Sequence, residues 1–317
     1  MQTVCPDPLR AVCCLFGGMI MLIAARSQAQ YNYTAINDPL ATLGTRPLGI
    51  DGHNIVGTYQ NSSGNFGFLY DGNNYTTLAF PSSLDTIAAG ISGNTIVGSY
   101  GQNGFLYNIS TASYTTLNIP SGANSISPSG ISGNNVVGTY WYGSGGNGAG
   151  GFVYNINTAS YTLLNAPSSI QTFAYGIEGN YIVGSYYSTS DQYRGFLYNI
   201  STGTYMVLND PSGVNGTEAS GISGNNIVGH YFDSHNQYNG FLYNISTGNY
   251  TTLNDPLGVD GTAATSISGN NVVGFYSPYT GYFTGFEAIP VPEPSTFGLL
   301  AVGASALLIR RCRNLTT

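Results

Sequence analysis

Short apolar segments alternate with polar turn residues along most of the chain, and the same pattern of segments recurs six times. One segment of each unit contains a Val-Gly pair, whose glycines are Gly57, Gly98, Gly138, Gly184, Gly229 and Gly274. Their spacing of 40 to 46 residues is typical of a solenoid, a propeller or an array.

Each unit divides into four segments, which we label A to D. In the second unit, A is TIAAGIS (86–92), B is IVGSY (96–100), C is GFLYNI (104–109) and D is YTTLN (114–118). Gly-Asn pairs and Ser-Thr-Gly runs between segments are typical of hairpin turns, and Val, Ile, Thr and Tyr favour strands. We therefore predict an all-β fold, a six-bladed β-propeller of four-stranded antiparallel blades.

The sixth unit has no D segment before the chain enters its C-terminal region. The missing segment is YTAIN, at residues 33–37. We predict that this N-terminal strand joins the last blade, beside GFEA (285–288), and closes the ring. The small residues of the A segments place A nearest the axis. A β-solenoid is the alternative, but it favours more even loops than GQN (101–103) and WYGSGGNGAG (141–150).

The composition removes several classes of function. Charged residues make up 7% of the chain and lysine is absent; between residues 30 and 290, only Arg46 and Arg194 oppose twelve acidic residues. Nucleic acid is therefore not an expected partner. All cysteines are terminal (Cys5, Cys13, Cys14 and Cys312), so neither a disulfide framework nor a cysteine–zinc site is expected in the body. We predict no cofactor and no metal.

The two ends read as targeting segments. Residues 1–29 have the form of a secretory signal peptide, with Arg10, an apolar run at 11–25, and small residues Ser27 and Ala29 before the expected cleavage point. Residues 30–290 form the repeat body. Residues 291–317 contain an apolar run at 297–309, predicted as a short transmembrane helix, and then three arginines.

Val291, Pro292, Glu293 and Pro294, then an apolar helix, then Arg310 and Arg311, closely resemble the PEP-CTERM sorting signal of Gram-negative bacteria. The resemblance implies processing at or near the Pro-Glu-Pro motif by an exosortase, a membrane transpeptidase-like enzyme. It also implies secretion across the inner membrane to the cell envelope, cell surface or medium. Membrane contact would then be limited to the C-terminal helix before processing. An ordinary single-span anchor with a Pro-rich stalk is the alternative.

The repeat itself resembles bacterial extracellular repeats of the HAF type. The shared pattern, across residues 33–288, is a Gly-Ile pair, then Val-Gly-x-Tyr, then Gly-Phe-Leu-Tyr. Gly-Phe stands here where that family has His-Ala-Phe. The resemblance supplies no enzymatic residues to transfer.

Variable loops indicate where a ligand would bind. In a four-stranded blade the B–C and D–A loops lie on one face, and here those loops vary, whereas the A–B and C–D turns repeat. Aromatic rings beside Asn and Asp suit neutral carbohydrate; the alternative is that Tyr is simply this protein's packing residue. The candidate ligand-binding residues are Trp141, Tyr142, Tyr187, Asp191, Tyr193, Arg194, His235 and Tyr238.

Arg46 and Glu218 form a candidate axial pair, because each lies three residues before the glycine of the "GI" phrase. No H-E-x-x-H or G-x-S-x-G motif is present, and we expect His53 and His230 to be structural. We therefore predict a non-enzymatic surface protein that binds or organises extracellular matrix or exopolysaccharide, as in a biofilm.

Two alternatives remain open at this point. One is a propeller-type hydrolase or lyase, which requires Glu218, Asp85 and Asp51 to meet at the channel mouth. The other is a protein–protein scaffold that uses the repeated face. A calcium site in the D–A loops also stays open, although residues 209–218 lack the order of acids in an EF-hand loop.

Overall fold

The computed structural model describes residues 31–81, 83–143, 148–189, 192–279 and 282–291, and Asn32–Ile289 form one compact unit. The described residues contain no helix that could span a membrane; the predicted signal peptide and C-terminal helix lie outside them. The strands are β1 (Tyr31–Ile36), β2 (Gly44–Asp51), β3 (Asn54–Asn61), β4 (Gly64–Tyr70), β5 (Tyr75–Leu78), β6 (Thr86–Ser92), β7 (Thr95–Tyr100), β8 (Asn103–Asn108), β9 (Ser113–Leu117), β10 (Ser125–Ser132), β11 (Asn135–Tyr142), β12 (Gly148–Asn155), β13 (Ser160–Leu164), β14 (Ser169–Glu178), β15 (Tyr181–Ser188), β16 (Tyr193–Asn199), β17 (Thr204–Leu208), β18 (Gly216–Ser223), β19 (Asn226–Phe232), β20 (Tyr238–Asn244), β21 (Asn249–Leu253), β22 (Thr262–Ser268), β23 (Asn271–Tyr279) and β24 (Tyr282–Pro290).

Consecutive strands pair antiparallel, as the A to D segments predict: β2 to β5, β6 to β9, β10 to β13, β14 to β17, and β18 to β21. Within the described ranges, the hydrogen-bonded sheets number four rather than six. Two have four strands, and two have eight, because single parallel bridges (Tyr193 to Gly216, and Gly44 to Phe283) join neighbouring groups. The described chain is thus all-β, with its strands divided among several sheets.

The first strand pairs with the last. β1 hydrogen-bonds to β24, some 250 residues later, which confirms the predicted partner of the N-terminal segment. Ile36 lies against Gly285, and the Tyr33 ring packs edge-on against Phe286 with centroids 5.3 Å apart. The start of β1 therefore lies toward the end of β24. Because β24 runs parallel in direction to β22, both ends of the body lie on the side of the A–B turns.

The first strands of the groups contact one another in order, from β2 through β6, β10, β14, β18 and β22, and β22 contacts β2. A hydrogen bond accompanies each step. The glycine N–H of each A–B turn donates to the side chain of the last residue in the preceding first strand. The donor and acceptor pairs are Gly52–Ser268, Gly93–Asp51, Gly133–Ser92, Gly179–Ser132, Gly224–Glu178 and Gly269–Ser223.

Packing explains the repeated Val-Gly and Gly-Phe phrases. A β-carbon at Gly138 would lie 2.7 Å from the ring of Phe152, which is fully buried on the neighbouring strand. The same relation holds in every unit, so each Val-Gly glycine makes room for a Gly-Phe phenylalanine. The cores form between groups: Val97 and Leu117 of the second unit pack with Phe152 of the third. Such burial between groups joins neighbouring units.

Candidate functional site

The six first strands surround a cavity of about 540 Å³. Every first strand contributes lining residues, which confirms that the small-residue A segments lie innermost. The only other described strands with lining residues are β19 and β23, through His230 and Phe275. The cavity therefore has one contributor from each repeat and is not confined to one loop.

A bulge at the same position in each first strand shapes the wall of the cavity. The register between first and second strands shifts by one residue there, which leaves one residue unpaired. All six unpaired residues line the cavity: Leu48, Ala89, Ser129, Tyr175, Ser220 and Thr265. Tyr175 is much larger than its equivalents, so it makes the ring asymmetric.

The residue after the bulge is glycine in five units, because neighbouring first strands approach closely there. A β-carbon at Gly130 would lie 2.6 Å from the carbonyl oxygen of Tyr175, and one at Gly221 would lie 2.8 Å from Cα of Ser266. In the sixth unit Ser266 replaces glycine. There the Thr265 hydroxyl donates to the carbonyl oxygen of Pro47 at 2.8 Å, which links β22 to β2.

Isoleucines line the end of the cavity nearest the A–B turns. They are the last apolar residues of the six first strands and are nearly fully buried: Ile50, Ile91, Ile131, Ile177, Ile222 and Ile267. The charged residues of the cavity lie nearer the opposite ends of these strands. The cavity is thus apolar toward the repeated turns and polar toward the variable loops.

Glu218 is the one carboxylate among the described residues that line the cavity. Its Oε2 accepts hydrogen bonds from the Tyr175 hydroxyl at 3.1 Å and the Ser185 hydroxyl at 3.3 Å. Burial raises the pKa of Tyr175 well above its ordinary value, and Glu218 raises it further. Tyr175 is therefore a neutral donor at physiological pH, and Glu218 is held in place from the neighbouring group.

His230 lies directly opposite Glu218 in the β18–β19 pairing and faces the same cavity. Its Nδ1 is buried and has no hydrogen-bond partner among the described residues. Burial lowers the pKa of His230, and the nearby Glu218 carboxylate only partly opposes this shift. The imidazole is therefore neutral at physiological pH, with one nitrogen able to donate and the other able to accept.

Arg46 lines the cavity two groups away from Glu218 and is exposed. Its guanidinium lies 5.0 Å from the ring centroid of Phe283 and 5.9 Å from that of Phe275, both cation–π contacts. Although part of its side chain is exposed, the cavity wall partly desolvates the guanidinium and so lowers the pKa of Arg46, whereas Tyr238 raises it. Arg46 and Glu218 both line the cavity, but no ion pair joins these two described residues.

Two of the candidate ligand-binding tyrosines approach the polar end of the cavity. Tyr193 has its pKa raised by burial and then by Glu218 and Tyr187, and its ring centroid lies 5.1 Å from that of Tyr187. Tyr238 has its pKa raised by burial and by Asp260 and lowered by Arg46. Tyr193 and Tyr238 thus lie near the charged residues of the cavity but are not among its described lining residues.

The other candidates are spread around the loop face. Trp141 and Tyr142 end β11, where the Tyr142 ring stacks on Tyr140 at 5.5 Å. Arg194 is half-buried on β16 opposite Tyr186, and His235 is exposed at a hairpin tip. Asp191 lies outside the described residues. The candidates therefore do not form one cluster.

The acidic residues of the hydrolase alternative occupy different places. Asp51 lies at the A–B turn end of β2 and accepts the Gly93 N–H, whereas Asp85 lies in the opposite D–A loop and accepts a hydrogen bond from Asn65. Only Glu218 lines the cavity. Among the described residues, no group of three or more His, Cys, Asp or Glu side chains is placed to hold a metal ion.

The two faces of the body differ in chemistry. Polar turns cover the side of the A–B and C–D connections, where Asn108 and its equivalents accept backbone N–H groups of their own turns. Apolar side chains are exposed on the other side, in the D–A connections and at the start of β14: Leu40, Leu84, Ile170, Val214, Leu257 and Val259. The loop face thus carries more exposed apolar side chains than the turn side, where Tyr181 and Ile289 are exposed.

Sequence comparison decides the nature of the C-terminal segment. Residues 290–313 match the PEP-CTERM protein-sorting motif. This signal indicates that the protein is an exosortase substrate, secreted to the cell envelope or surface of a bacterium. The residues predicted to carry it, Pro292, Glu293, Pro294, Arg310 and Arg311, fall within the match but outside the described residues. No curated protein matches the chain in sequence.

Solved structures similar to this chain include TolB-like propeller proteins. A TolB-type structure from Agrobacterium tumefaciens superposes with a TM-score of 0.55 at 14% identity, over 84% of this chain and 100% of that chain. TolB from Acinetobacter baumannii gives 0.51 at 16% identity, over 76% of this chain and 65% of that chain. The present chain thus spans less than two thirds of the Acinetobacter protein. At these identities the likeness concerns the fold alone.

Sequence reasoning missed the polar cluster around Glu218, which is formed by Tyr175, Ser185 and His230. The signal was present, because Tyr175 and His230 replace small residues at positions that hold Ala, Ser or Thr in most other units. A large polar side chain at one of these innermost positions projects into the cavity, because the neighbouring strands leave no other space for it.

Proposed function

We propose that the body is a six-bladed propeller, displayed at the surface of a Gram-negative bacterium, that binds extracellular polysaccharide through its loop face and has no enzymatic role. Six first strands in cyclic contact, six equivalent bulges and six hydrogen bonds between neighbouring groups support the blade count. The division would be residues 1–29 as signal peptide, 30–290 as propeller and 291–317 as sorting signal.

The observation that carries the binding proposal is the contrast between the faces. The exposed apolar side chains of the D–A loops and the aromatic residues of the B–C hairpins share one face. Both ends of the body lie on the other. A protein attached through its C-terminal segment would thus present its loop face outward. Aromatic and apolar surface beside amide groups suits the faces and hydroxyls of sugar rings.

Catalysis has less support than binding. Hydrolysis by paired carboxylates needs two acids flanking one bond, and the cavity offers only Glu218 among its described lining residues.

A protein scaffold on the repeated face also has less support, because that face carries hydrogen-bonded polar turns. A protein partner at the apolar D–A loops is the second candidate.

The test is a pull-down of the purified protein with the producer's own exopolysaccharide. Ala at Tyr142 or Tyr193 is expected to weaken binding about two- to tenfold each, the worth of an aromatic contact. Tyr181→Ala is the matched control, since Tyr181 is 43% exposed and Tyr142 is 37% exposed, but Tyr181 lies at the opposite face. Binding that fails, or that Tyr181→Ala reduces equally, contradicts the proposal.

A further inference from the structure

The cavity holds two opposite charges that the protein leaves unpaired. Within the described residues, neither Arg46 nor Glu218 forms an ion pair, although both line the same space. The two side chains stand two groups apart around the wall of a cavity of about 540 Å³.

Arg46 provides an unused anion receptor. The rings of Phe275 and Phe283 hold its guanidinium, and no protein acceptor among the described residues takes its N–H groups. The planar fork of a guanidinium matches a carboxylate or phosphate with two parallel hydrogen bonds. A dianionic phosphate would meet repulsion from Glu218 in the same cavity. A single carboxylate is therefore the better match.

The opposite wall is suited to hydroxyl groups. Only Oε2 of Glu218 accepts hydrogen bonds from the described protein, so Oε1 is left as an acceptor. Nδ1 of His230 has no hydrogen-bond partner among the described residues. A carboxylate acceptor beside a neutral imidazole can satisfy both the donor and the acceptor capacity of a hydroxyl.

The space between these walls has an apolar side. Phe275 lines the cavity in the unit that lies between those of Glu218 and Arg46. A volume of about 540 Å³ falls within the range of ordinary small-molecule sites and exceeds that of one sugar ring. Aromatic rings stack against the C–H faces of such a ring.

We propose that the axial cavity binds a sugar acid, with its carboxylate on Arg46, its ring against Phe275 and its hydroxyls on Glu218 and His230. This site is distinct from the polysaccharide surface of the outer loops. It takes a monosaccharide or chain end and not the length of a polymer. Binding of a sugar acid in the cavity can therefore be confirmed or refuted separately from polysaccharide binding by the loop face.

Calorimetric titration of the purified full chain with D-glucuronate, D-glucose and cyclohexanecarboxylate tests the proposal. D-Glucuronate is expected to bind at least about tenfold more tightly than either other compound, since each lacks one of the two recognised groups. Equal binding of glucose and glucuronate, or no binding of glucuronate at millimolar concentration, overturns the proposal. This comparison uses the unmodified protein, so it does not depend on variant folding.

Two substitutions locate the site. Arg46→Gln is expected to reduce glucuronate affinity about tenfold or more and to leave glucose binding unchanged. Glu218→Gln is expected to weaken the binding of both glucuronate and glucose. Glu178→Gln is the matched control, because Glu178 lies at the A–B turn side, away from the cavity lining. Glucuronate binding that survives Arg46→Gln, with the melting temperature maintained, refutes the assignment, whatever the pull-down with polymer shows.

Discussion

Substitution of Ile36 by Ala tests whether the N-terminal strand is an integral part of the body. Ile36 ends β1 and is 3% exposed, in a cluster with Ile50, Phe68 and Val273 that joins the first and last units. Ile-to-Ala removes three carbons, worth about 2.4 kcal/mol at about 0.8 kcal/mol per buried methylene. The cavity left behind raises the expected loss to about 3–4 kcal/mol.

The assay is thermal unfolding of the repeat body followed by circular dichroism. A loss of about 3 kcal/mol corresponds to a fall in Tm of about 6–12 °C for a domain of this size. Leu117→Ala gives the comparison, because Leu117 occupies the equivalent place on β9 in the chain interior and is 1% exposed. The two variants should lose similar stability, although residues near a chain end usually fray.

Ile289→Ala serves as the control for position near a terminus. Ile289 is 42% exposed and lies on β24, the partner of β1. We expect a change of no more than about 0.5 kcal/mol there. If Ile36→Ala matches this control while Leu117→Ala unfolds early, β1 does not contribute to the body, and the account of ring closure is wrong.

Three further outcomes can be measured in the same way. Gly221→Ala should lower Tm by several degrees, because its β-carbon would lie 2.8 Å from backbone Cα of Ser266; an unchanged Tm would contradict the close strand approach. Ser132→Ala removes the acceptor of the Gly179 N–H and should cost about 0.5–1.5 kcal/mol in urea unfolding; no loss would mean that water replaces the bond. Burial raises the pKa of Asp210 above 3.8 in the folded state, so the native protein binds the proton more tightly and stability falls as pH rises from 3.8 through the folded pKa. Burial raises the pKa values of Asp38 and Asp255 in the same way, so Asp210→Asn should remove only the contribution of Asp210 and weaken the pH dependence; an identical pH profile in both proteins would refute it.

The repeat pattern predicts the strands well because most strands pair with the strands next to them in the sequence. Apolar alternation and Gly-Asn turns locate strands such as β7 and β8 within a residue or two, and the missing D segment correctly identifies β1 as the partner of β24. The division into sheets is less predictable. It depends on single bridges such as Gly44 to Phe283, which arise where units meet in space.

The cavity was predictable only in part. Arg46 and Glu218 each lie three residues before the glycine of a "GI" phrase, and both line the cavity. The same spacing suggests that the two side chains form an ion pair with each other. Side-chain competition explains why they do not: Phe283 holds the guanidinium, and Tyr175 with Ser185 holds the carboxylate. Tyr175 comes from a bulge, and a bulge re-aims a side chain in a way that strand alternation does not reveal.

The position of β24, hydrogen-bonded to β23 on one side and β1 on the other, has a mechanical consequence. Tension applied at its C-terminal end, against a load held on the loop face, acts along the strand direction. The hydrogen bonds from β24 to β23 and to β1 are then all loaded in shear at the same time, so they do not break one after another. A surface protein in flowing liquid would be pulled through the end of β24. The N-terminal strand β1 would then increase the force needed to extract β24 from the body.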